Sequence, residues 1–166
     1  MSELFSNLKS SEKDLLLKAP LLVGMLIAGA DGIIDSREQN RLSNSLYAKA
    51  RKNGTAIEEL YQKLVDNLNI YLIDFMHTYP RDPDERNREI VKRLGELNEI
   101  FPKLDKGFAF NYYQNLRFVA KQTAKASGGY FGLGGIGKKE KKFVMLTMIL
   151  DPGPPQQTRK KQESTK

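Results

Sequence analysis

The chain has 166 residues, a length that fits one domain, and 40% of its residues are apolar, which is enough for a buried core. It contains no cysteine, so disulfides, thiolate metal sites and cysteine nucleophiles are excluded. The net charge is +7, but residues 117–166 alone hold 11 Lys and Arg against 3 acids, so the basic character belongs to the last third.

The N-terminus does not resemble a signal peptide, because residues 1–13 are polar and the apolar run that follows is broken by Lys18 and Pro20. No window of the sequence approaches the roughly 20 apolar residues that a membrane-spanning helix needs. We therefore expect a cytoplasmic protein, and the basic last third also allows a peripheral place at a membrane surface.

The first apolar segment predicts helical structure that ends at the Asp31-Gly32 turn. Ser10 or Ser11 is the expected cap. Pro20 predicts either one kinked helix or two short ones, because proline suits the first turn of a helix better than its interior. Small residues such as Gly24 would let another helix approach closely.

A second helix is predicted to begin at Asp35 or Ser36, because Asp35 and Glu38 have the spacing of a capping box. The Asn53-Gly54 pair predicts the end of this helix. Its inward stripe follows i, i+4 spacing and is expected to contain Leu42, Leu46, Tyr47 and Ala50.

The same cap and period signals predict three further helices, over residues 55–75, 82–102 and 104–127. A glycine-rich loop over 128–137 leads into a last helix over 138–150. No segment alternates apolar and polar residues as a strand would. The sequence therefore predicts an all-α fold, a compact bundle of about six to seven helices over residues 1–150, followed by a disordered basic tail over 151–166.

The glycine-rich loop contains a literal GxGxxG string over residues 132–137. A dinucleotide fingerprint needs a strand before the glycines and an acid about 20 residues later. Here a predicted helix precedes the string and the proline-containing tail follows it, so we do not infer dinucleotide binding. The loop could hold an anion at the start of the last helix, or simply connect two helices with its aromatic residues packed inward.

The two glycine-containing loops echo each other, which predicts a duplicated helix–loop–helix unit. Each runs from a helix end rich in small residues, through a Gly-Ile turn, into a helix with an early glutamate. In this alignment Asp35 matches Gly137 and Glu38 matches Glu140, so the second copy has lost its aspartates.

Two strings in the chain resemble the TerB-like tellurite-resistance family: Ala30-Asp31-Gly32-x-Ile34-Asp35-x-x-Glu38, and Ala126-Ser127-Gly128-Gly129-Tyr130-Phe131-Gly132-Leu133-Gly134 leading to Glu140. The resemblance spans roughly residues 15–150. It implies an all-α pseudo-repeat that gathers acidic residues into metal-associated sites, and a role in bacterial stress or tellurite response through protein interaction without catalysis. The chain departs from that pattern in its second loop, where Glu140 is the remaining acid among several lysines.

Two interpretations of the first acidic loop remain open. A divalent cation such as Ca²⁺ prefers six to eight oxygen ligands, and Asp31, Asp35 and Glu38 could supply three side chains, with Glu140 joining them if the two loops lie side by side. Alternatively, Asp31 is a turn residue, Asp35 a helix cap and Glu38 its reciprocal partner.

The basic last third supports an alternative function, an adaptor that binds an anionic polymer or membrane surface. The lysines concerned are concentrated at the start of the last predicted helix: Lys138, Lys139, Lys141 and Lys142. His77 is the only histidine, and no residue spacing indicates a catalytic triad or a general acid–base pair, so we expect a protein that is not an enzyme.

Overall fold

The computed structural model describes residues 4–29, 36–50, 54–126 and 143–155, without the side chains of 36–39, 41 and 126. These residues contain no strand, so the predicted all-α class is confirmed for them. Seven α-helices and one 3-10 helix, Phe101–Lys103, follow in chain order. The α-helices are α1 Ser10–Ala28, α2 Ser36–Ala50, α3 Ala56–Asp66, α4 Leu68–Thr78, α5 Pro83–Gly95, α6 Leu97–Ile100 and α7 Lys106–Ala126.

Helix α1 is the centre of the bundle and packs against α2, α3, α5, α6 and α7. From Leu15 onward it is apolar on nearly every side, which is typical of a helix enclosed by others. It is a single helix that continues through Pro20. The expected serine cap is wrong, because Ser10 and Ser11 lie inside the helix and the Lys9 N–H donates to Glu12 Oε2 at 2.8 Å instead.

Helices α1 and α2 approach closely at Gly24, as the small residues predicted. A Cβ atom at Gly24 would lie 2.1 Å from Leu42 Cδ1, so a larger residue can occupy this position only if the buried Leu42 side chain, or α2 with it, moves. Leu42, Leu46 and Ala50 are buried as expected. Tyr47 is exposed, so its place in the inward stripe was predicted wrongly.

The predicted third helix is divided at Asn67 into α3 and α4. Asn67 Nδ2 donates to the Lys63 carbonyl at 3.0 Å, where a regular helix would place the Asn67 backbone N–H. The Asn67 N–H donates instead to the Leu64 carbonyl at 3.3 Å, and Asn67 becomes the residue that ends α3 and precedes α4. The start of α3 follows the prediction, since Thr55 and Glu58 form a capping box.

The predicted fourth helix is also interrupted, because α5 ends at Gly95 and is followed by the short α6 and the 3-10 helix. Its start is confirmed: Asp82 Oδ1 accepts the Glu85 N–H at 2.9 Å, and Pro83 occupies the first turn. Asp105 similarly accepts the Phe108 N–H at 2.8 Å at the start of α7, which matches the predicted fifth helix within two residues.

The last predicted helix is wrong in its described part, because helical conformation covers 143–145 and turns follow. Leu146 has a φ of 51°, which ends a right-handed helix. Asn98 binds the non-helical backbone, donating to the Met148 carbonyl at 2.9 Å and accepting from the Leu150 N–H at 2.8 Å. The second glycine loop and residues 156–166 lie outside the described residues, so the duplication and the disordered tail stay predictions.

Candidate functional site

The predicted acidic loop falls largely outside the described residues. Asp31, Asp35 and Glu140 belong to the undescribed segments, and Glu38 is described only as backbone in the first turn of α2. The predicted helix start is confirmed, since α2 begins at Ser36. Within the described part of the chain, no group of three or more His, Asp or Glu side chains is placed to hold a metal ion. The four-residue cation site therefore stays a prediction.

One side chain that the sequence did not single out binds the backbone immediately before this loop. Arg86, in α5, donates through Nη2 to the Gly29 carbonyl at 2.9 Å, immediately after the end of α1. The bond satisfies a carbonyl that the end of a helix leaves without an intrahelical partner. Arg86 is 8% exposed, which is unusual for arginine, and its Nε has no hydrogen-bond partner among the described residues.

A charged cluster joins α1 to α4 on another side of the bundle. Lys18 Nζ lies 3.1 Å from Asp14 Oδ1 and 3.0 Å from Asp74 Oδ2, and 5.3 Å from the centre of the Tyr71 ring. Partial burial lowers the pKa of the Lys18 ammonium, but the hydrogen bonds to Asp74 and Asp14 outweigh it and hold the pKa above its ordinary value. The hydrogen bond from Lys18 in turn lowers the pKa of Asp74. Because each charge is matched, we interpret this cluster as structural.

Helix α4 exposes an apolar surface that no described element covers. Ile70 is 63% exposed, Ile73 is 58% exposed and Met76 is 73% exposed. The three recur every third residue and therefore lie along one side of the helix, and we call them the α4 stripe. Only Leu68 and Phe75 of α4 are buried, so the helix has more apolar side chains than the core can take up.

The α4 stripe continues into a groove of about 570 Å³ between α1, α4 and α5, here called the α4 groove. Most of its surface is apolar, and Met25 of α1 closes one side. The lining residues are Met25, Leu72, Ile73, Phe75, Met76, His77, Tyr79, Pro80, Arg81 and Arg86. Its size lies in the range of small-molecule sites, which commonly combine apolar walls with a few polar groups.

None of the described side chains that line the α4 groove is a carboxylic acid. Its titratable lining side chains are Arg81, Arg86, His77 and Tyr79. Arg81 is exposed at the turn between α4 and α5, and His77 lies in the last turn of α4. Among the described residues neither Arg81 nor Arg86 takes part in a salt bridge. The groove therefore combines an apolar wall with two cations that have no carboxylate partner in the described part of the protein.

The lysines of the predicted basic surface, Lys138, Lys139, Lys141 and Lys142, lie outside the described residues, as do the basic residues of the tail. The described Lys and Arg of the basic third all lie in the second half of α7. There Arg117 lies over the Tyr113 ring at 5.9 Å, while Lys121 and Lys125 are exposed. No described helix combines the length and apolar character that crossing a membrane requires.

Comparison with known proteins does not identify a family for the chain. No family model, no curated protein and no solved structure matches the chain. The resemblance to the TerB-like family therefore stays a prediction carried by the two quoted strings.

The α4 groove was not predicted, although the sequence contains a signal for it. Residues 68–76 hold more apolar side chains than one face of a helix can present: Leu68, Ile70, Tyr71, Leu72, Ile73, Phe75 and Met76. An apolar helix that ends a bundle, with partners on one side only, must leave some of these side chains exposed. The partners of Arg86 could not be foreseen, because they depend on how α5 lies against the end of α1.

Proposed function

We propose that the chain is a non-catalytic binding module and that its binding surface is the α4 stripe together with the α4 groove. The observation that carries the proposal is the exposure of Ile70, Ile73 and Met76 beside a groove of about 570 Å³. Contiguous exposed apolar surface on a soluble protein is commonly a binding site, because leaving it in water forgoes its transfer free energy.

The roles of the other described polar groups support a binding module over an enzyme. The buried Tyr112 hydroxyl, Asn98 and the capping aspartates all satisfy backbone groups. His77 has no nucleophile or carboxylate pair beside it in the α4 groove, whose other lining side chains are apolar, aromatic or arginine. A general acid or base needs such a neighbour to act on a substrate.

Binding of the uncharged dye Nile red tests this proposal. We expect its fluorescence to rise and shift to shorter wavelength with the wild-type protein, and to lose most of that response with Ile73→Glu, which places a charge on the stripe. Met145→Glu is the matched control, because Met145 is also exposed but does not line the groove. Equal dye responses from the two variants would contradict the proposed surface.

The cation-binding, TerB-like function is a second candidate, favoured by one observation. Helix α2 begins at Ser36, which places Glu38 in its first turn directly after the acidic loop. This support is compatible both with a cation site and with a capped helix start, and the final experiment of the Discussion separates the two. Under this candidate the protein acts in a stress or tellurite-type response by binding other proteins.

A further inference from the structure

We propose that the α4 groove binds a small anionic amphiphile, an alkyl chain that ends in a carboxylate. This inference rests on the proposed function and deepens it, because it names the class of ligand that the same surface takes. Two features carry it: the buried Arg86 guanidinium at one side of the groove, and the apolar lining along the rest.

Arg86 supplies the reason for an anionic head. Arg86 is 8% exposed and its Nη2 donates to the Gly29 carbonyl at 2.9 Å, while within the described part of the chain its Nε has no hydrogen-bond partner and its guanidinium has no carboxylate partner. A buried cation without a counter-ion is unfavourable, because it has lost most of its hydration without gaining an opposite charge. A carboxylate that enters the groove supplies that charge at a place where water solvates the guanidinium poorly.

The charges around the groove point the same way. Besides Arg86, the basic side chains that line the groove are His77, from α4, and Arg81, from the turn that follows. Tyr79 lines it as well, and burial raises the pKa of the Tyr79 hydroxyl, so this group stays neutral. No carboxylate stands among the described lining residues, so the charged side chains of this lining attract an anion and repel a cation.

The apolar lining supplies the reason for an alkyl tail. Met25, Leu72, Phe75 and Met76 come from two helices and face one space. The two methionines have flexible side chains that adapt to a thin chain of variable position. Because Arg86 is recessed, a slender ligand with a terminal carboxylate reaches it more easily than a carboxylate carried on the surface of a folded partner.

Isothermal titration calorimetry of the full chain with monomeric dodecanoate tests the inference. Dodecyltrimethylammonium, with the same alkyl chain and the opposite charge, is the matched probe, and we expect it to bind at least about tenfold more weakly. Decanoate lacks two methylene groups, and we expect its affinity to fall roughly tenfold, as expected from the transfer free energy of about 0.8 kcal/mol per methylene.

Three arginine variants locate the head group. Arg86→Gln is expected to weaken dodecanoate binding more than about tenfold, because a charged hydrogen-bonding partner is lost. Arg81→Gln, at an exposed position that is expected to fold normally, should weaken it about two- to fivefold. Arg88→Gln is the control: Arg88 is exposed on the same helix α5, outside the groove, and its replacement should leave the affinity unchanged.

The results that would overturn the inference differ from those that would overturn the proposed function. Equal affinity for dodecanoate and dodecyltrimethylammonium, with Nile red binding retained, would remove the anionic head and leave the binding surface intact. Binding to vesicles of anionic phosphatidylglycerol without binding of monomeric dodecanoate would reassign the surface to a membrane. If Arg86→Gln does not fold, Arg81→Gln and the comparison of the two probes still decide the matter.

Discussion

The Tyr112 hydroxyl donates a hydrogen bond to the Leu16 carbonyl, which is the carbonyl that Pro20 leaves without a partner in helix α1. In a regular helix the Leu16 oxygen would accept the N–H of residue 20, and proline has none. Both Leu16 and Tyr112 are buried, so water cannot replace the missing donor. A tyrosine of α7 thereby allows a proline to lie inside a central helix that remains continuous.

Replacement of Tyr112 by phenylalanine is expected to destabilise the protein by about 1–3 kcal/mol, because the Leu16 carbonyl is left buried and unsatisfied. Tyr61→Phe is the matched control, since Tyr61 is equally buried but its hydroxyl has no hydrogen-bond partner in the described part of the chain. We expect that variant to be neutral or slightly more stable. Urea unfolding followed by circular dichroism measures both, and equal losses would contradict the role given to Tyr112.

The contact of Gly24 with Leu42 leads to a second prediction. Gly24→Ala should cost about 1–3 kcal/mol of unfolding free energy, because its methyl group would overlap the Leu42 side chain. At Gly95, the last residue of α5, an added Cβ meets no atom closer than 3.9 Å, so Gly95→Ala should be neutral or stabilising by up to about 1 kcal/mol. Thermal unfolding of the two variants compares them directly, and a Gly24→Ala protein as stable as Gly95→Ala would contradict the prediction by showing that the Leu42 side chain can make room for a methyl group without loss of stability.

The sequence predicted helix starts better than helix ends. Thr55 and Asp82 cap the helices that were expected to begin there, because a cap is decided by residues within four positions of each other. The interruption at Asn67 was missed, although it is also local, because an asparagine side chain can bond to the helix backbone or point to solvent. The end of the last helix depends on Asn98, about 50 residues earlier in the chain, and no local pattern contains that information.

The candidate site was predictable only in part for a similar reason. Burial of Leu42 and Leu46 followed from helical spacing, whereas exposure of Ile70 and Ile73 depends on how few helices pack against α4. Sequence period identifies an apolar side of a helix but not whether another element covers it. The burial of Arg86 could not be predicted for the same reason, since a charged side chain is expected at the surface until its tertiary partners are known.

The charged cluster of Lys18, Asp14 and Asp74 leads us to expect that the stability of the protein depends on pH. The folded-state pKa of Asp74 is lowered, so its contribution is present above the unfolded value near 4 and is lost as the pH falls through the folded value. The folded-state pKa of Lys18 is raised, so its contribution is present below the unfolded value near 10.5 and is lost as the pH rises through the folded value.

Lys18→Met should therefore be less stable than the wild type between about pH 4 and 10.5, by up to roughly 1 kcal/mol because the carboxylates are largely exposed, and the difference should narrow on both sides. Lys13→Met removes the same charge from an exposed position of α1 and is the control. Urea unfolding across this pH range compares the three proteins. A pH-independent difference between Lys18→Met and the wild type would indicate that Lys18 contributes through packing alone.

The two interpretations of Asp31, Asp35 and Glu38 are separated by a substitution that keeps the cap and removes the charge. Asparagine caps a helix as well as aspartate does, so Asp35→Asn should leave stability unchanged if Asp35 is only a cap of α2, whereas Asp35→Ala should cost about 1 kcal/mol. If Asp35 is a cation ligand, both variants should bind a divalent cation more weakly, because the hard cation prefers a charged oxygen.

Calorimetric titrations with Ca²⁺, Mg²⁺, Zn²⁺ and Mn²⁺ measure this for the wild type, the single variants and Asp31→Ala/Asp35→Ala. Glu89→Ala/Glu99→Ala removes two exposed acids elsewhere and controls for net charge. A cation site predicts a wild-type isotherm that the double loop variant abolishes, and an unfolding midpoint that rises with cation concentration in the wild type alone. Flat isotherms for every ion and protein would contradict the cation site and the TerB-like metal function. Asp35 and Glu38 would then remain only the predicted capping pair of α2.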